Sequence, residues 1–263
     1  MPTFSEIERI QNYLRASAQA QYEALPLPPF TLFFHPTDAL KYFNYAIPDE
    51  PAAGEMSDVL AEMRRECRRR GRIARFEFFE AYAPQLPALL HAHGFNEEGR
   101  QWSMLCTPST FQPQPDVPGL EIYPLGPDSP PGDVRDFLLT QHAAFNPTEP
   151  TWVSPEDIQR GLEDLQRARW HAFLGRSAGQ PAGAASFGSP IDGVTEVAGI
   201  GTHPAFRRRG IAARLTWQAA RAAFNLGVHT ICLTAADAQA GRVYERVGFQ
   251  PFSTMLAYID SSE

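Results

Sequence analysis

Between residues 193 and 215 the chain passes from strand to loop to helix within two dozen positions. Residues 194–202 are apolar and β-branched, with glycines at 199 and 201. Pro204 stops that strand, because proline has no N–H to give a ladder. Helical spacing follows at Ile211, Leu215, Ala219 and Ala222. Arg207, Arg208, Arg209, Gly210, Ile211 and Ala212 fill the turn between them. The first turn of a helix carries about four unpaired N–H groups and a partial positive charge. Gly210 has no side chain and Ala212 only a methyl, so an anion can reach those amides, with arginine charges beside it. The pattern predicts a pyrophosphate cradle. A solvated basic turn or a nucleic-acid patch is the competing reading of the arginines.

Arg207-x-x-Gly210-x-Ala212, after Thr202-His203-Pro204, resembles the acetyl-CoA motif of the GNAT-type N-acetyltransferases. Asp237-x-x-Ala240-x-x-x-Tyr244-Glu245-x-x-Gly248-Phe249 resembles the second signature of that family, with Asp237 where Asn is usual. The resemblance implies a mixed α/β sheet flanked by helices, acetyl-CoA as cosubstrate, and no metal. It implies that the amides of Arg208, Arg209, Gly210, Ile211 and Ala212, with the Arg207 side chain, hold the pyrophosphate. By position, backbone groups of Ile200, Gly201 and Thr202 pair with the pantetheine and face the acetyl oxygen. Asp237 and Ala240 fall on the cofactor side of the second motif. Tyr244 matches the tyrosine that protonates the thiolate, and a phenol near pKa ~10 keeps its proton at neutral pH. Glu196, 11 positions before Arg207, matches a general-base glutamate of some members; it reads equally as an exposed strand residue. Glycines 199 and 201 suit either close backbone approach or a bulge.

The first half repeats the order of the second. Leu60, Gly71, Gly94-Phe95 and Met104-Leu105 line up with Leu215, Gly227, Gly248-Phe249 and Met255-Leu256. Gly71 precedes Gly94 by 23 positions, and Gly227 precedes Gly248 by 21. Two tandem GNAT-like domains are therefore expected, each a mixed, mainly antiparallel sheet flanked by helices. Residues 1–110 form a degenerate domain, 111–118 a proline-rich linker and 119–263 the acetyltransferase domain. One such domain behind an unrelated extension is the other reading. The first half has Asp49, Glu50 and Glu55 where the second has arginines, and these carboxylates would repel a pyrophosphate. Leu90 stands where Tyr244 stands.

Other elements follow from periodicity and breakers. Helices are expected over 5–22, 58–70, 84–92, 133–145, 154–167 and 237–247. Strands are expected over 30–35, 40–47, 73–79, 103–106, 120–123, 170–175, 182–187, 230–234 and 252–259. Residues 25–30, with three prolines, read only as a break.

A net charge of −7 argues against a general nucleic-acid binder. Three scattered cysteines show no disulfide or metal spacing, and no segment reads as a signal peptide or membrane span, so a cytoplasmic protein is expected. The predicted activity moves acetyl from acetyl-CoA to a primary amine of a small molecule or protein, by direct attack in a ternary complex. Residues 145–152 and the helix after Ser154 would wall the acceptor site. The alternative is an acyl-CoA-binding sensor or scaffold without catalysis. Oligomeric state is open.

Overall fold

A computed structural model describes residues 3–261. In its first half run α1 (Phe4–Gln21), β1 (Glu23–Leu27), β2 (Phe30–Phe34), β3 (Asn44–Pro48), α2 (Ser57–Arg69), β4 (Arg75–Phe79), α3 (Leu86–Ala92) and β5 (Phe95–Cys106). The second half has β6 (Leu120–Leu125), α4 (Pro131–Phe145), α5 (Pro155–Gln166), β7 (Trp170–Ser177), β8 (Gln180–Gly188), β9 (Val194–Thr202), α6 (Ile211–Asn225), β10 (Thr230–Ala235), α7 (Ala238–Val247) and β11 (Gln250–Asp260). These group into two compact units. The first takes residues 3–103 with Thr234–Asp237 and 251–261; the second takes Met104–Leu233 and Ala238–Gln250.

The strands of the first unit run β1-β2-β3-β4-β11-β5. Pairing is antiparallel from β1 to β3, parallel where Ala46 meets Phe76 across β3 and β4, and antiparallel again from β4 to β11. Phe30, Phe76 and Phe95 are fully buried and meet edge to face, with centroids 4.9 and 5.4 Å apart. Each such ring contributes about 2–3 kcal/mol by leaving water. Helix α1 starts in a capping box, Thr3 Oγ1 accepting from Glu6 N while Thr3 N donates to Glu6 Oε2 at 2.7 Å. Residues 25–30 are more than a break: β1 lies at the sheet edge, where the N–H missing at Pro26 leaves no ladder bond unmade. The expected strand over 40–47 is a 3₁₀ turn, Lys41–Phe43, followed by β3. The expected strand over 103–106 is only the tail of β5.

In the second unit the order is β10-β9-β8-β7-β6, antiparallel except for β9 and β10. Helices α4 and α5 cover one face through Val134, Phe137 and Leu165 against Ala172, Leu174 and Ala184. A side chain at Gly161 would come within 2.9 Å of Val134, so glycine there lets α5 lie close to α4. On the other face α6 beds on β8: a Cβ at Gly183 would lie 2.6 Å from Leu215 and 2.7 Å from Ile211. Residues 110–117 run over α6 and α7. Phe111 stacks on Trp217, Gln112 N donates to Val247 O, and Asp116 pairs with Arg214 at 2.7 Å. In each unit the strands are mixed and mainly antiparallel with flanking helices, the expected fold class. Among the described residues no helix is long and apolar enough to cross a membrane.

Candidate active site

The end of β9 and the start of α6 build the site. From Val194 to Glu196 strand β9 pairs with β10, in parallel register with Thr230 to Cys232. Beyond Glu196 it continues to Thr202 with register partners on its β8 side only. That side carries an irregularity: Gly201 faces Ala184 and Ala198 faces Ser186, so Gly199 and Ile200 oppose the single residue Ala185. This is a β-bulge on β9. Gly199 takes a φ of +63°, a conformation that disfavours side chains. Gly199 bends the strand, and a Cβ on Gly201 would come within 2.7 Å of Ala144, so Gly201 admits α4.

After a short turn at Pro204–Phe206, Arg208 takes φ +62° and Gly210 φ +82°. Alternating left-handed residues turn successive N–H groups to one side, an anion-binding concavity. Gly210 is the N-cap of α6 and offers no capping side chain. The first amide of α6 to find a carbonyl is Arg214, donating to Gly210 O at 3.1 Å. Among the described residues the amides from Arg208 to Ala213 take no acceptor. Such N–H groups beside exposed arginines can receive a doubly charged anion.

The arginines differ in what they hold. Arg207 donates to Ala144 O at 2.9 Å and to Thr202 O at 3.3 Å, bracing the end of α4 against the end of β9. Arg209 lies over the Phe206 ring, 5.3 Å from its centroid. Ile211 is buried, so its backbone alone lines the loop, and Ala212 is half-buried.

Glu196 is half-buried on β9, in register with the fully buried Cys232. Burial first, and the Glu196 charge second, push the Cys232 thiol well above its ordinary pKa, so that cysteine is no nucleophile. Tyr244 is 8 % exposed on α7, edge-on to Phe249 with centroids 6.3 Å apart. Ala240 is half-buried one turn earlier on α7, and Asp237 is exposed just before that helix. Phe145 and Trp152 are exposed at the two ends of the α4–α5 connection. Among the described residues no group of three or more His, Cys, Asp or Glu stands together to hold a metal.

One contributor escaped the sequence reading. Gln141 on α4 donates from Nε2 to Gly199 O at 2.9 Å. A glutamine on a predicted helix carries no signal that singles it out. Gly248 owes its identity to the preceding segment: a Cβ there would lie 2.0 Å from Thr110 O.

No curated protein matches this sequence. Among solved structures, a GCN5-related N-acetyltransferase from Kribbella flavida superposes with a TM-score of 0.80 at 24% identity, over 98% of this chain and 96% of the other. One from Sphaerobacter thermophilus gives 0.63 at 16% identity, over 98% and 93%. A tandem GNAT protein from the clavulanic acid biosynthesis pathway gives 0.65 at 14% identity, over 88% and 77%. At these identities the likeness is one of fold. Residues 133–249 match the model of the acetyltransferase (GNAT) family. Residues 133–249 are thus similar to the acetyltransferase (GNAT) family, and the chain has the fold of GNAT proteins, a tandem one among them.

Proposed function

We propose that the chain is an acetyl-CoA-dependent N-acetyltransferase, passing acetyl to a primary amine of a small molecule or protein by direct attack in a ternary complex. The carrying observation is the start of α6, where the amides from Arg208 to Ala213 find no acceptor among the described residues. Acetyl-CoA supplies the acetyl group, activated as a thioester. The α6 amides and the arginine charges bind its pyrophosphate. The β9 edge from Ile200 to Thr202, without a register partner opposite β8, binds the pantetheine arm as a further strand would. A backbone N–H there stabilises negative charge on the acyl oxygen. Glu196 takes the ammonium proton of the acceptor, and the Tyr244 hydroxyl gives a proton to the departing sulfur. Asp237 and Ala240 border the cofactor side. Exposed Phe145 and Trp152, with α5, wall the acceptor site.

The reading places the enzyme in the cytoplasm, in keeping with three free, buried cysteines. A net charge of −7 favours cationic amines over nucleic acid or an anionic membrane surface as partners. Calorimetry with acetyl-CoA, followed by thiol release with a panel of polyamines, aminoglycosides, amino acids and peptides, tests it. Binding together with acceptor-dependent release is expected. Absence of binding by folded protein removes the enzyme. Tight binding with no acceptor favours an acyl-CoA sensor.

A further inference from the structure

The Gly199 carbonyl is held from α4. Gln141 Nε2 donates to it at 2.9 Å, and a Cβ on Gly199 would lie 2.0 Å from that same nitrogen. The glycine and the glutamine thus fit each other: the side-chain amide fills the volume a Cβ would take. Ile200, the next residue, stands in register with no residue of β8 or β10. Across a trans peptide the N–H of one residue points opposite to the carbonyl of the residue before it. A Gly199 carbonyl pinned toward α4 therefore turns the Ile200 N–H away from α4.

We infer that Gln141 is a positioning residue, holding the Gly199–Ile200 peptide so that the Ile200 N–H is aimed at the acyl oxygen during transfer. The inference rests on the acetyl-transfer reading above. It adds a residue outside both sequence motifs. It also separates aim from assembly, because α4 has other ties to β9: Arg207 bridges Ala144 O and Thr202 O, and Ala144 seats over Gly201. Loss of the amide therefore frees the peptide without detaching the helix.

Gln141→Met keeps the length and removes the donor. Turnover is expected to fall about 10- to 100-fold, since deleting an oxyanion donor outright costs about 10²–10³. The affinity for desulfo-CoA, which lacks the acyl group, stays within about twofold. In the ligand-free protein the Gly199 and Ile200 amide resonances shift. Gln141→Glu adds a sharper readout. Its carboxylate cannot donate at about pH 8, but its acid form can, so its activity relative to wild type rises as pH falls toward about 5.5. Turnover of Gln141→Met within about twofold of wild type overturns the inference. So do unmoved resonances, or a pH-independent ratio for Gln141→Glu. Failure of the underlying reading shows differently, as wild-type protein that takes up no desulfo-CoA, and overturns both.

Discussion

Helices α2 and α6 occupy the same place in two similar arrangements. Each follows a strand that ends near a proline, Pro48 or Pro204, and leads into a parallel partner strand. Each is followed, past one capping residue, by a left-handed glycine, Gly71 at φ +64° or Gly227 at φ +84°. Their starts differ in charge: α2 has Asp58 in its first turn, where α6 has no acidic residue. The residue before the N-cap is Glu55 in α2 and Arg209 in α6. Glu55 Oε1 accepts from Met56 N at 3.0 Å and from Ser57 N at 2.8 Å, so the chain supplies the anion itself. The adjoining strand end is also taken: Asp49 O accepts from Arg15 at 2.9 Å and from the Tyr82 hydroxyl at 2.8 Å. In the second unit the equivalent amides stay available. A repeated fold thus does not repeat its helix start: the N–H groups that Glu55 holds in α2 have open counterparts in α6.

Exchanging that charge gives the largest expected effect. Arg209→Glu places a carboxylate where α2 carries Glu55, and acetyl-CoA affinity should drop about 100-fold or more in calorimetry. A drop of less than about threefold breaks the comparison. The second contrast is Leu90 on α3 against Tyr244 on α7, each four residues before its glycine. Tyr244→Phe should lower turnover about 100-fold while acetyl-CoA affinity stays within about twofold; unchanged turnover takes Tyr244 out of the acid role. Wild-type titration should show one acetyl-CoA site per chain, and a stoichiometry of two would mean the first unit is not self-capped.

The smallest effects concern α2. Glu55→Gln keeps an acceptor but loses the charge, and Tm should fall by about 2 °C at neutral pH without creating a second binding site. Hydrogen bonds from the Ser57 side chain and backbone hold the Glu55 carboxyl below its ordinary value. A carboxyl depressed in the folded state stabilises at pH above its unfolded pKa, about 4.3, and that contribution fades as pH drops through the folded value. The Tm difference between wild type and variant should therefore close in acid. A gap that stays constant to about pH 3 would show that charge at residue 55 does not matter.

Much of this was legible from residue order. The β-branched run, Pro204 and the spacing after Gly210 locate β9, the turn and α6, because those signals act within a few residues. The repeat of glycines located the second arrangement. What stayed hidden depends on residues far apart in sequence. Asp49, Glu50 and Glu55 read as repulsion, but only the folded turn shows Glu55 capping its own helix. Pro26 reads as a breaker until β1 is seen at a sheet edge. Gln141 meets Gly199 across 58 positions, and Thr110 meets Gly248 across a longer gap, so neither pair leaves a local pattern.

The placement of β11 bears on how the chain is made. Its residues from Pro251 belong to the first unit, where Ala257 pairs with Glu77 and Met255 with Phe79. They are translated after the whole of the second unit. Of the two units, the one begun earlier on the ribosome is therefore completed after the other, and β4 waits with an open edge while some 170 further residues are synthesised. A gene cut at the proline-rich segment cannot yield two self-sufficient halves, because the upstream product would lack its closing strand.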